Sequence, residues 1–167
     1  MTSTRIHLTV FLSAWVAITA AHAGGNAEVT FSNPARYTDA GSYGANRDAN
    51  LAQLAAHLKA LAAKYLAEGQ TLQVEVLDVD LAGTSRPWRA TGTDVRVLRG
   101  RADWPRLEMR YALDAAGPNA RRGTESISSL NYLQRAGGYA AAEPLAHEKR
   151  LLDDWFRARF VEGRPAD

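Results

Sequence analysis

The segment Thr71–Gly83, TLQVEVLDVDLAG, constrains the fold most strongly, because its apolar residues alternate with polar ones and two acids follow near its end. Side chains alternate between the two faces of a strand, so this pattern predicts an inner β-strand. Leu72, Val74 and Val76 would share one face with Asp78 and Asp80. The other face would carry Gln73, Glu75, Leu77, Val79 and Leu81. A face that passes from apolar residues to carboxylates is either a strand end that reaches solvent or the floor of a site.

Two segments have the periodicity of amphipathic helices. Asn50–Leu66 places leucine, alanine and tyrosine at helical spacing and predicts a helix with one buried stripe. Leu145–Phe160 follows Pro144, which the first turn of a helix tolerates, and its stripe includes Trp155. These two helices would supply one layer of the core.

Four further segments favour strands, because β-branched, aromatic or alternating residues dominate them. They are Glu28–Phe31, Asp94–Arg99, Arg106–Leu113 and Thr124–Leu133. The element order is then β-α-β-β-β-β-α. Charged residues on one side of these strands indicate a sheet with one polar face, mainly antiparallel or mixed, with about five strands. Both helices would cover the other face, giving a two-layer α+β domain.

The N-terminus has the pattern of a secretory signal peptide. Arg5 precedes the apolar run Leu8–Ala20, and the sequence Ala21-His22-Ala23 offers a small-residue cleavage site. We therefore expect residues 1–23 to be removed and residues 24–167 to form one domain with a frayed tail after Glu162. The chain contains no Cys, so disulfides and a lipid-bearing Cys are excluded. This combination predicts a protein of the Gram-negative periplasm, with no membrane span after cleavage.

Two loops are candidates for binding. Asn33–Arg47 is longer and more irregular than most connections, and Gly83–Thr93 carries Arg86, Trp88 and Arg89. Arginine forks and a stacking tryptophan could bind an anionic glycan or a lipid headgroup, although exposed arginines on alternating strands are also common on solvated surfaces. The formal net charge of the chain is only +2, which argues against nucleic acid as a partner.

Three acids are the candidates for a cation site. Asp78 and Asp80 lie two residues apart on the predicted strand, and Glu148 shares the stripe of the second helix. If they converged, their oxygens could bind a hard cation, which prefers 6–8 oxygen ligands. The alternative is that Asp78 and Asp80 cap the following loop or pair with Arg86, Arg89 or Arg96. Glu148 would then form an inward ion pair with an arginine or bend toward solvent.

No catalytic residues, resident metal or cofactor are assigned from the sequence. Gly41-Ser42-Tyr43-Gly44 lacks the outer glycine frame of a hydrolase nucleophile elbow. His57 and His147 have no metal spacing and no adjacent nucleophile, which favours a surface or boundary position for both.

Several blocks resemble the bacterial secreted-protein family catalogued as domain of unknown function 3016. They are Val29-Thr30-Phe31, Pro34, Tyr37-Thr38-Asp39, Asp78–Gly83, Asp94–Val97, Pro144-Leu145, Glu148-Lys149 and Asp154-Trp155-Phe156. The resemblance implies export to the periplasm and a shared domain, but it brings no known activity. We therefore expect a non-enzymatic binding or envelope accessory domain whose partner is an envelope protein, an anionic glycan or a lipid headgroup. The alternative hypothesis is a cation-binding protein or metal-assisted hydrolase that uses Asp78, Asp80 and Glu148.

Overall fold

The computed structural model describes residues 24–41, 44–87, 94–100, 102–114, 117, 120–134 and 143–165. Its strands are β1 (Asn26–Phe31), β2 (Thr71–Asp80), β3 (Thr84–Pro87), β4 (Asp94–Val97), β5 (Arg106–Leu113) and β6 (Arg121–Ser128). Its α-helices are α1 (Gly44–Tyr65) and α2 (Ala146–Phe156), and α2 continues into a π-helical turn, Arg157–Val161. A 3-10 turn, Pro34–Arg36, follows β1.

The main sheet is mixed and has the strand order β1-β2-β5-β6. β1 and β2 are parallel, and α1 connects them, as a parallel pair requires a crossover. The pairs β2–β5 and β5–β6 are antiparallel. This arrangement confirms the α+β prediction and the mixed alternative for the sheet.

β3 and β4 form a separate two-stranded antiparallel sheet, so the main sheet has four strands. The segment predicted as the loop Gly83–Thr93 therefore begins with a strand, whose four residues lack an apolar alternation long enough to reveal it. The loop predicted over Asn33–Arg47 is also shorter than expected, because α1 starts at Gly44 and not near Asn50. The last strand begins three residues earlier and ends five residues earlier than predicted, and Leu130–Leu133 belongs to a turn.

The core lies between one face of the main sheet and the two helices. Helix α1 contacts β1 and α2, and α2 contacts β6. The fully buried side chains include Leu54 and Leu58 of α1 and Leu152 and Phe156 of α2. Burying a leucine contributes about 1.5–3 kcal/mol, so this cluster supplies the main driving force for folding.

A β-bulge at Leu77 reverses the alternation of β2. Val76 pairs with Met109 and Asp78 pairs with Glu108, so Leu77 is an extra residue on β2. An extra residue moves every later side chain to the opposite face. Val79 and Leu81 therefore join the core, and Asp78 and Asp80 leave it. The prediction that these acids share a face with Leu72, Val74 and Val76 is wrong for this reason.

Candidate functional site

The chain after β1 lies along the end of β2 and completes its hydrogen bonding. The amide of Asp39 donates to the carbonyl of Val79 at 2.8 Å, and the amide of Leu81 donates to the carbonyl of Asp39 at 2.9 Å. The carbonyl of Val76, beside the bulge, accepts from the amide of Ser32 at 2.9 Å and from the Tyr37 hydroxyl at 2.7 Å. Burial raises the pKa of Tyr37 to about 12, so its hydroxyl stays a donor. These contacts fix the positions of Asp78 and Asp80.

Asp78 binds the backbone and side chain of a single residue, Thr38. Its Oδ1 accepts from the Thr38 amide and its Oδ2 from the Thr38 hydroxyl, each at 2.7 Å. Both carboxylate oxygens thus hold the loop that follows β1. The arginine partner expected from the sequence is replaced here by a threonine.

Asp80 lies 3.7 Å from the guanidinium of Arg106, its cross-strand neighbour on β5. Burial raises the pKa of Asp80, Arg106 acts against that rise, and the charges of Asp39 and Asp78 add to it. Asp80 therefore pairs with an arginine, which was one of the alternatives that the sequence left open, although this arginine is Arg106 and not Arg86, Arg89 or Arg96.

Arg96 fixes the β3–β4 hairpin to the end of β2. Its guanidinium donates to both carboxylate oxygens of Asp39, at 3.0 and 3.1 Å. It also donates to three successive backbone carbonyls, at 3.3, 3.1 and 3.2 Å. These carbonyls belong to Leu81, Ala82 and Gly83. Nη1 makes four of these contacts and shares its two N–H groups among them, and Nη2 makes the fifth. The planar guanidinium fits the Asp39 carboxylate with both terminal nitrogens, which lysine could not reproduce.

Glu148 is buried at 3% exposure in the first turn of α2. Its Oε1 accepts from the amide of Ala82 at 2.7 Å, which connects α2 to the chain between β2 and β3. The inward direction expected for Glu148 is observed, and its partner is a backbone amide. A groove of about 150 Å³, lined by Arg96, Leu98, Leu145 and Glu148 among others, lies beside this contact.

The three acids proposed for a cation site are thus held by different partners: Asp78 by Thr38, Asp80 by Arg106 and Glu148 by Ala82. Within the described parts of the chain, no group of three or more His, Cys, Asp or Glu side chains is placed to hold a metal ion. The geometry therefore assigns these acids a structural role at the base of the hairpin.

The hairpin presents Arg86 and Val95 together, because these two residues form a cross-strand pair. Both are exposed, Val95 at 44%. The next pair, Ser85 with Arg96, lies on the opposite face, where Arg96 reaches Asp39. Trp88 and Arg89 lie outside the described residues.

A second polar cluster, which the sequence reasoning missed, lies between β6 and the π-helical turn. Glu125 is 7% exposed, and its carboxylate accepts from Nε of Arg159 at 2.7 and 2.9 Å and pairs with its terminal nitrogen at 2.7 Å. The Tyr111 hydroxyl also bonds Glu125, and burial followed by this charge raises the pKa of Tyr111. The sequence contains one indication of this cluster: side chains alternate along β6, so Glu125 lies on the same face as the apolar Ile127.

The histidines also have partners in the structure. Nε2 of His57 lies 2.8 Å from Asp153, a contact between α1 and α2. The ring of His147 packs edge-on against Tyr132 at 4.8 Å between centroids. Both positions agree with the boundary role expected for these residues.

The protein is an α+β domain in which two helices cover one face of a mixed sheet, and Arg96 anchors the β3–β4 hairpin at one end of that sheet. The chain belongs to the family described as Protein of unknown function (DUF3016), whose model matches residues 25–158. No curated protein and no solved structure matches the chain significantly. In the described part of the chain, none of the helices combines the length and apolarity that crossing a membrane requires.

Proposed function

We propose that the chain is exported to the bacterial periplasm and acts there as a non-enzymatic binding domain, with the β3–β4 hairpin as its contact surface. The partner would be an anionic envelope component, such as a glycan or a lipid headgroup, or an envelope protein with an acidic surface. The N-terminal signal-peptide pattern supports export, because a basic residue, an apolar run and a small-residue cleavage site follow one another there.

The observation that carries the binding proposal is the anchoring of the hairpin by Arg96. The guanidinium of Arg96 holds the inner face of the hairpin against Asp39 and the end of β2, with Nη1 sharing its two N–H groups among four acceptors and Nη2 bonding Asp39. Arg86 and Val95 consequently face outward on a fixed support. A preformed surface loses less conformational entropy on binding than a loose loop does.

The chemistry of the hairpin fits an anionic partner. Arg86 is exposed, and the connection between β3 and β4 adds Trp88 and Arg89. Guanidinium groups bind phosphate and carboxylate through paired hydrogen bonds, and tryptophan stacks on sugar or guanidinium planes. The nearby carboxylates repel an anionic partner only weakly, because Asp39 is paired with Arg96 and Asp80 with Arg106.

The binding experiment compares a hairpin variant with a matched arginine control. The hairpin variant carries R86A, W88A and R89A, and the control carries R36A and R157A, which remove exposed arginines elsewhere. We expect wild type and the control to sediment with vesicles containing phosphatidylglycerol or to retain lipopolysaccharide, and the hairpin variant to lose at least tenfold in affinity. Equal retention by all three proteins, together with identical envelope cross-linking patterns, would show that the hairpin is not the contact surface.

Export is tested separately by cell fractionation. We expect the full chain to be recovered from the periplasmic fraction with Gly24 as its first residue, and a chain lacking residues 2–23 to stay in the cytoplasm. An uncleaved chain in the cytoplasmic fraction would contradict export without affecting the hairpin measurement.

A further inference from the structure

Four large apolar side chains are exposed in and near the β3–β4 hairpin. Val95 lies on β4 and Leu98 follows directly after it, and both are exposed. Leu130 and Leu133 belong to the turn after β6 and are 60% and 48% exposed. In the described part of the chain, Val161 is the one other large apolar side chain with comparable exposure. Exposed apolar side chains grouped in this way mark a surface that contacts an apolar partner.

The sheet topology explains why these side chains lie at one end of the molecule. Asp80, Arg106 and Ser128 form one row across β2, β5 and β6. β2 and β6 therefore end, and β5 begins, at the same end of the sheet. The hairpin follows β2 and the turn with the two leucines follows β6, so both lie beyond that row.

Tyr132 joins the turn after β6 to the segment after β4. Its side chain is buried, and its hydroxyl donates to the carboxylate of Asp103 at 3.1 Å and accepts from the amide of Gly100 at 3.3 Å. A Cβ at Gly100 would lie 2.6 Å from Cδ1 of Leu133, so this leucine packs against the chain just after Leu98. The leucines of the two segments together form the leucine patch, which consists of Leu98, Leu130 and Leu133.

The chain around the leucine patch is basic. Residues 86–101 contain five arginines and one acid, Asp94. Arg86 and Arg99 are both exposed, and the turn after β6 carries no charged side chain. The carboxylate of Asp103 also accepts from the amide of Arg99, at 2.6 Å, so it is bound within the segment. Guanidinium groups and aliphatic side chains are therefore presented on the same end of the molecule.

This combination favours a lipid surface over a protein or a glycan. The cores of protein interfaces are depleted in charged residues, whereas here arginines lie next to the leucines. A glycan would satisfy the guanidinium groups but leave the leucines in water. A bilayer satisfies both, because aliphatic side chains enter the boundary of the acyl region while arginines bind the phosphates of the headgroups.

We propose that the leucine patch docks the protein on a bilayer that contains anionic phospholipid. Leu130 and Leu133 enter the acyl region, and Arg86 and Arg99 bind headgroup phosphates. The inference rests on the proposed function, since it takes the hairpin as part of the contact surface. It narrows the partner from any anionic envelope component to a lipid surface.

The first test uses a single fluorescent label. The chain contains no cysteine, so one introduced cysteine accepts the label at one position only. The exported chain with L130C is labelled with NBD, a fluorophore whose emission rises and shifts to shorter wavelength in an apolar environment. V161C is the matched control, because Val161 is similarly exposed and lies on the π-helical turn. The vesicles contain phosphatidylethanolamine and phosphatidylglycerol in equal amounts.

We expect the label at residue 130 to respond to these vesicles and to be quenched by spin labels on the acyl chains. The label at residue 161 should keep its emission in water. Vesicles of phosphatidylcholine alone should bind at least tenfold more weakly, since the arginines lose their anionic partners. No binding to the phosphatidylglycerol vesicles, or binding without a response at residue 130, would overturn the proposal.

Serine variants measure the contribution of the leucines without a label. L130S/L133S removes aliphatic groups at two exposed positions, and V161S is the matched control. We expect L130S/L133S to bind the phosphatidylglycerol vesicles at least tenfold more weakly than wild type, and V161S to bind them equally well. Equal affinity of all three proteins, each folded by circular dichroism, would refute docking through the leucine patch.

A second copy of the chain is the other occupant that an exposed apolar surface could accept. Sedimentation velocity of the wild type distinguishes it from a bilayer. A dimer that L130S/L133S converts to monomer, without binding of the wild type to vesicles, would assign the leucine patch to self-association and reject the lipid proposal.

The variant carrying R86A, W88A and R89A separates this inference from the proposed function. If that variant loses binding to vesicles and lipopolysaccharide while L130S/L133S binds both like wild type, the hairpin is the contact surface and insertion of the leucines is rejected. If that variant binds like wild type while the label at residue 130 enters the bilayer, the leucines dock the protein and the hairpin proposal is rejected.

Discussion

Replacing Arg159 with methionine should destabilise the domain strongly, because the change leaves the carboxylate of Glu125 buried without its cation. The two side chains are only 11% and 5% exposed, so water cannot take over the interaction. Removing one partner of a buried ion pair costs about 3–5 kcal/mol. For a domain of this size that corresponds to a fall in Tm of roughly 10 °C.

The matched control is Arg110, whose guanidinium lies 2.7 Å from Glu75 on the polar face of the sheet. That pair has the same contact distance, but its side chains are 60% and 35% exposed. Exposed ion pairs contribute about 0–1 kcal/mol. R110M should therefore change the free energy of unfolding far less than R159M does.

The double variant E125L/R159M separates the charge effect from packing. Replacing both members of a buried pair by apolar residues is often neutral or stabilising, so we expect this variant to regain most of the stability that R159M loses. The assay is urea unfolding at pH 7, followed by circular dichroism. R159M within about 1 kcal/mol of wild type, or a double variant as unstable as R159M, would refute this reasoning.

Three further changes test other parts of the structure. A Cβ at Gly123 would lie 2.8–2.9 Å from the ring and hydroxyl of Tyr111. G123A should therefore lower the free energy of unfolding in urea by about 1–3 kcal/mol, and Y111L/G123A should recover part of that loss. Burial raises the pKa of Asp80 above its ordinary value of 3.8, so the folded state binds the proton more tightly, and stability falls as the pH rises from the unfolded to the folded pKa. D80N should therefore raise Tm at pH 7 and match wild type below pH 3.8. A constant difference at all pH values would contradict this. Calcium, magnesium or zinc should leave the Tm of wild type and of D80N equally unchanged. A bound cation at a hundred times its Kd would stabilise the protein by about 2.7 kcal/mol, so a rise in the Tm of wild type alone would support the cation-site hypothesis.

The helices and inner strands were predictable because their apolar periodicity extends over many residues. α1 repeats leucine over four turns, and β5 alternates apolar and charged residues from Leu107 to Tyr111. The bulge at Leu77 was not predictable, because a one-residue insertion leaves a sequence that still alternates on both sides of it. β3 is too short to show a period, and its strand geometry depends on pairing with β4.

The contacts of the three acids were not predictable from the sequence. Asp78 and Asp80 lie at the end of β2 and Glu148 lies beside it, yet each binds a different partner. The reason is the bulge, which turns the two aspartates away from the core, whereas Glu148 remains on the buried side. Side chains on opposite faces of a strand do not converge on one ion.

The acidic residues that dominate the sequence pattern therefore build a support, and this changes where binding is expected. The carboxylates of Asp39, Asp78 and Glu148 accept hydrogen bonds from Arg96, Thr38 and the amide of Ala82, respectively. Together these contacts join the chain after β1, the end of β2 and the start of α2 to the base of one hairpin. Because these carboxylates bind partners within that junction, the proposed contact surface is the outward face of the hairpin, with Arg86 and Val95. We therefore expect a partner to bind at the hairpin and not at the acids themselves.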